Sequence, residues 1–112
     1  MTTTQDGILL RIFAGESDTA DGQPLHTAIV HTAKQLGLSG ATVLRGTMGF
    51  GANSVLHTSK LLELSTDLPI VIELVDSEEN IRKLLPYLDT VVREGMITME
   101  SVRILLYRHA GA

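Results

Sequence analysis

The chain has 112 residues, with 9 Lys and Arg against 13 Asp and Glu, four His, and neither Cys nor Trp. That length predicts one domain over 1–112 with a single core, and 44% apolar with 20% charged residues excludes a disordered or collagen-like chain. A net charge of −4 argues against nucleic acid as a partner, and the lack of Cys excludes disulfides, thiolate metal sites and cysteine nucleophiles.

Residues 1–7 read as a flexible tail without the basic n-region of a leader. Residues 8–13 alternate, with Ile8, Leu10 and Ile12 opposite Leu9, Arg11 and Phe13, which is the period of a strand. A turn over 18–23 leads to Pro24, which suits a helix start. Leu25, Ala28, Ile29, Thr32, Ala33 and Leu36 then make one helical stripe, closed by Gly37. Gly40 opens a second strand over about 41–48, and residues 50–67 form a long connection in which 54–64 could make a short helix. A third strand spans 69–75. Asp76 and Ser77 cap a second helix whose stripe runs Ile81, Leu84, Leu85, Leu88, Val91 and Val92, with a kink expected at Pro86 and an end at Gly95. A last strand is expected over 102–107.

The order βαββαβ predicts an α+β, ferredoxin-like fold with two helices on one face of a four-stranded antiparallel sheet. Strand order should be fourth, first, third, second. Period two assigns Ile8, Leu10, Ile12, Ile70, Ile72, Leu74, Val102, Ile104 and Leu106 to the helix side. The other face then carries Leu9, Arg11 and Phe13; Val43, Arg45 and Thr47; Val71, Glu73 and Val75; and Arg103, Leu105 and Tyr107. Such a mixture of large apolar groups around central charges exceeds what a monomer exposes, so the face is expected to be buried between copies of the chain. Arg11 and Glu73, middle residues of neighbouring central strands, should meet there as an ion pair, with Arg103 as a third interface charge.

Charge is uneven along the chain. Residues 22–62 hold no Asp or Glu but carry Lys34, Arg45 and Lys60, a formal +3, together with His26, His31 and His57. Half of the ten glycines lie in 37–51, and Gly46, Gly49 and Gly51 bracket the end of the second strand. Closely spaced glycines let backbone N–H groups approach an anion, or they permit a bulge and a tight turn. Established phosphate fingerprints are absent, since the spacing is G-x-x-G-x-G. Catalytic sets are thin. His57 has Thr58, Ser59 and Lys60 beside it but no acid to orient it, and His26 and His31 are five residues apart, too far around a helix to share a metal. We therefore expect no enzyme and no resident metal. With no run long enough to span a bilayer, a cytoplasmic protein is expected.

Gly40-Ala41-Thr42-Val43 followed by Gly49-Phe50-Gly51 resembles the PII nitrogen-signalling superfamily, where a G-x-T-V strand runs into a G-F-G turn at the base of the long T-loop. The resemblance is stronger to an uncharacterised PII-like branch, through Leu10–Glu16, Gly40–Gly51, the His57-Thr58-Ser59-Lys60 block and Asp67–Glu73. It implies a homotrimer with ligand clefts between subunits, an adenine nucleotide (ATP, ADP or AMP) or another small anion as ligand, and a membrane transporter or enzyme as regulated partner. By position it points to Thr42, Gly49 and Gly51. Arg45, Asn53, His57, Lys60 and Arg108 are the further candidates for ligand contact. Met96-Ile97-Thr98-Met99-Glu100 stands where PII proteins carry a phosphate-wrapping loop, and no Tyr lies between residues 49 and 68. The alternative within the same architecture is a CutA-like trimer that responds to divalent metal.

Overall fold

The computed structural model describes residues 4–51, 57–58 and 67–109. Four strands form the main sheet: β1 (Gln5–Gly15), β4 (Thr42–Arg45), β7 (Pro69–Asp76) and β8 (Met96–Ile104), with β2 (Thr19–Ala20), β3 (Gln23–Pro24), β5 (Met48–Gly49) and β6 (His57–Thr58) as short ribbons. The main sheet runs β4-β7-β1-β8, every neighbour antiparallel, which is the expected fourth-first-third-second order. Helices α1 (Leu25–Gln35) and α2 (Glu78–Val91) supply the apolar stripes. Leu10, Ile12, Ile72 and Leu74 from the two central strands are closed over by Leu25 and Ile29 of α1 and Ile81, Leu84 and Leu88 of α2, all at most 2% exposed. Each such side chain is worth roughly 1.5–3 kcal/mol of burial, so this one layer holds the fold.

Local chemistry explains the element ends. Asp21 and Gly22 take φ of 55° and 77°, the conformation of a two-residue hairpin turn, and join β2 to β3. Ser77 caps α2, its hydroxyl accepting from Asn80 N at 3.2 Å, while Glu78 and Glu79 lie at the helix end that favours negative charge. Pro86 sits inside α2, which continues to Val91.

Four expectations are corrected. The first strand begins at Gln5, so Gln5, Asp6 and Gly7 are paired with Ile104, Arg103 and Val102 instead of trailing free. The second strand stops at Arg45; Met48 and Gly49 pair separately with Thr58 and His57, within the segment read as a long connection, and most of the 54–64 segment lies outside the described residues. The last strand begins at Met96 and ends at Ile104, while 105–109 follow without regular structure. The outer edge of β1 would otherwise leave a row of backbone donors and acceptors unpaired, and residues 96–100 satisfy it opposite Leu9–Phe13.

The fourth correction concerns the faces. Val43 pairs with Ile72 and Arg45 with Ile70, so both belong to the helix side, and Thr42 and Leu44 share the open face with Glu73 and Val71. On β8, Val102 and Ile104 pair with Gly7 and Gln5 on the open face, whereas Arg103 pairs with Asp6 on the helix side. A side-chain period of two means that a one-residue difference in register inverts a whole strand. Arg103 is therefore not on the open face.

Candidate functional site

The open face has an ionic centre. Arg11 Nε donates to Glu73 Oε2 at 2.8 Å, as the sequence implied, and Arg11 Nη1 donates to Glu100 Oε1 at 2.7 Å, which it did not. The Glu73 hydrogen bond, with that of Glu100 behind it, outweighs desolvation and raises the Arg11 pKa further above its ordinary value. Around this centre lie Leu9, Phe13, Val75, Val102 and Ile104. Glu100 escaped notice because 96–100 read as a loop.

At one end of the sheet the chain builds a cavity of about 420 Å³. Its walls are the end of β1 (Phe13, Ala14, Gly15), the start of β7 with Asp67 before it, the Glu94-Gly95-Met96 entry to β8, and the Gly49-Phe50-Gly51 turn. Two carboxylates shape the near wall. Gly15 N donates to Asp18 Oδ2 at 2.9 Å and Ser17 N donates to Asp67 Oδ1 at 3.0 Å, so the 15–18 turn wraps around both acids. A third acid, Glu94, also lines the cavity, and no Lys, Arg or His is among the described lining residues.

Two glycines earn their place by close approach. A Cβ on Gly46 or on Gly49 would lie 2.9 Å from Cγ of Pro69, and Gly46 N donates to Pro69 O at 2.7 Å. The glycine-rich segment thus lies flat on a proline ring. That favours the turn reading of these glycines, and the same packing sets Phe50 out over the cavity, 75% exposed. Replacing Gly49 with valine should displace the turn while leaving the helix–sheet core intact, so far-ultraviolet circular dichroism would stay native and trypsin cleavage near Arg45 would accelerate.

The other candidates are scattered. Gly49 and Gly51 line the cavity. Thr42 stands exposed on β4, opposite Glu73. Arg45 is ion-paired with Glu16, which occupies its guanidinium within the chain. His57 is placed by its pairing with Gly49, and Arg108 is exposed beyond β8. Asn53 and Lys60 lie outside the described residues. Among the described residues no group of three or more His, Asp or Glu could hold a metal, and no helix is long and apolar enough to cross a membrane. Phe13, Phe50, Asp18, Asp67 and Glu94 were missed as wall residues; only Phe50, inside the G-F-G turn, carried a signal.

A split βαβ sheet in this order, with a glycine turn crossing one end beside a cavity, has the fold of PII-like proteins. The chain superposes on CPII of Thiomonas intermedia K12, a structure described as bound to ADP and bicarbonate, with TM-score 0.66 and 17% identity over 91% of each chain. The chain belongs to the DUF190 family, described as "Uncharacterized ACR", whose model matches residues 7–104. It is 37% identical over 97 residues to a UPF0166 protein of Aquifex aeolicus, covering 87% of this chain and 91% of that one. A UPF0166 protein of Methanocaldococcus jannaschii is 36% identical over 97 residues, covering 86% of this chain and 89% of the relative.

Proposed function

We propose that this chain is a non-enzymatic regulatory subunit that assembles as a homotrimer through its open sheet face, binds an adenine nucleotide beside the 49–51 turn, and uses the segment that follows to act on a protein partner in the cytoplasm, a transporter or enzyme. The cavity carries the ligand half of this reading. Its volume lies in the range of small-ligand sites, and it offers apolar surface with an exposed aromatic ring, Phe50, at its mouth. The structure of CPII with ADP and bicarbonate supports a nucleotide as the occupant.

The wall chemistry orients that ligand. Asp18, Asp67 and Glu94 repel phosphate, whereas Phe13 and Phe50 suit a flat ring. This chain's wall therefore takes the base, and the phosphates point away from it, towards cations of a neighbouring copy such as Arg108. Calorimetry with adenosine, AMP, ADP and ATP tests the reading. Nucleotides should bind, and Phe50→Ala should weaken them by about 1–3 kcal/mol, five- to 150-fold, the usual worth of a base stacked on an aromatic ring. Absence of binding by all four compounds at millimolar concentration would overturn it. For the assembly half, Arg11→Ala leaves Glu73 and Glu100 without their cation and should shift sedimentation towards monomer, while Arg11→Met with Glu73→Leu and Glu100→Gln should recover much of the association.

A further inference from the structure

On the open face one cation meets two anions. Among the described strand residues of that face, Arg11, Glu73 and Glu100 are the only charged groups. Arg11 comes from β1, Glu73 from β7 and Glu100 from β8, while β4 contributes the uncharged Thr42 and Leu44. Both helices lie across the opposite face, as do Asp6 and Arg103. The centre therefore carries a formal −1.

In the separate chain that surplus is harmless. The Glu100 side chain is 58% exposed and keeps its water, whereas Glu73, at 31%, is the more enclosed partner. A second copy is the occupant this face fits. Among the described residues Arg11 Nη2 finds no acceptor, and a copy of the same surface, rich in carboxylate oxygens, supplies one. The surrounding Leu9, Phe13, Val75, Val102 and Ile104 would be covered by the same contact.

Symmetry makes the charge problem inescapable. Whatever the rotation relating the copies, the described strand residues of each face bring two carboxylates and one guanidinium, so pairing among them cannot cancel the excess. A carboxylate that loses water without gaining a cation favours its neutral form. We propose that Glu100 couples self-association of this chain through the open sheet face to the uptake of one proton per copy. Protonated Glu100 still offers an oxygen to Arg11 Nη1 and gains an O–H to donate to the neighbouring Glu73. The inference rests on the reading that copies meet through this face.

Sedimentation equilibrium of the full chain between about pH 8 and about pH 5 tests both statements separately. The wild-type association constant should rise as pH falls, by up to about tenfold per pH unit for each carboxylate that takes a proton. Glu100→Gln should associate at the high end of the range as tightly as wild type does at the low end, with little slope. Glu79→Gln, on the exposed first turn of α2, should keep the wild-type slope. Oligomers of unchanged strength across the range, or a Glu100→Gln protein with the wild-type slope, would overturn the proton coupling and leave self-association standing. A monomer at every pH would overturn self-association and the coupling with it.

Discussion

Gly95→Ala should cost the protein roughly 4 kcal/mol or more, near the top of what single substitutions do. Gly95 has φ +133°, where L side chains rarely go, and a Cβ there would lie 2.2 Å from the carbonyl oxygen of Phe13. That oxygen belongs to the β1 backbone and has no flexible end to swing aside. Either β8 moves away from β1 or the entry to β8 refolds, and both break the pairing of Met96 with Phe13. Because β8 is an edge strand, amides of 96–104 should lose hydrogen-exchange protection before those of β7 and α2. The cavity wall at Glu94–Met96 would open with it, so nucleotide binding should fall in parallel. Gly40→Ala is the control: nothing lies within 4 Å of its Cβ position, and its cost should stay within about 0.5 kcal/mol. Urea denaturation of both variants compares them directly. Equal midpoints would refute the clash.

Asp76→Ala should cost roughly 3 kcal/mol at neutral pH, and its effect should shrink in acid. Asp76 is 7% exposed at the junction of β7 and α2. Oδ2 accepts from Ser39 N and Ser39 Oγ, both at 2.8 Å, and Oδ1 accepts from Ser77 N at 2.7 Å and Asn80 Nδ2 at 3.0 Å. One carboxylate thereby ties the segment after α1 to the first turn of α2. Removing it leaves the Ser39, Ser77 and Asn80 donors of this half-buried junction without that acceptor, which costs more than the bonds themselves contribute. Burial alone would raise its pKa, but the bonds from Ser39, Asn80 and Ser77 outweigh burial and hold it below the ordinary carboxylate value. A carboxyl held low in the folded state contributes stability that is complete above the unfolded value, about 3.9, and is lost as pH falls through the folded one. The gap in stability between wild type and Asp76→Asn should thus be full at neutral pH, begin to close below about pH 5, and be smallest at the acid limit. Thermal melts at fixed protein concentration along a pH series measure it. A gap that widened in acid would show the opposite linkage.

Much of the molecule could be read from residue order. The stripes of α1 and α2, the alternation of β1 and β7, and the resulting βαββαβ order rest on local periodicity, and the core residues followed from them. The Arg11–Glu73 pair was legible because both strands are central and their faces are set by unbroken alternation. Glycine spacing marked the 46–51 turn, although the reason for it, contact with Pro69, is a contact between residues about twenty positions apart.

Other features depend on partners distant in sequence. Met96–Glu100 carries no turn signal and mixes apolar and polar residues, so its strand character comes from the free edge of β1 that it pairs with. Register against β1 and β7 then set which way β8 and β4 face, moving Arg103 off the open face and Glu100 onto it. The cavity joins four segments between Phe13 and Met96, and no local pattern announces a space between them. Periodicity along a chain reports what each segment buries. Which segments meet, and in what register, is decided by hydrogen bonds and packing that exist only once the chain has closed on itself.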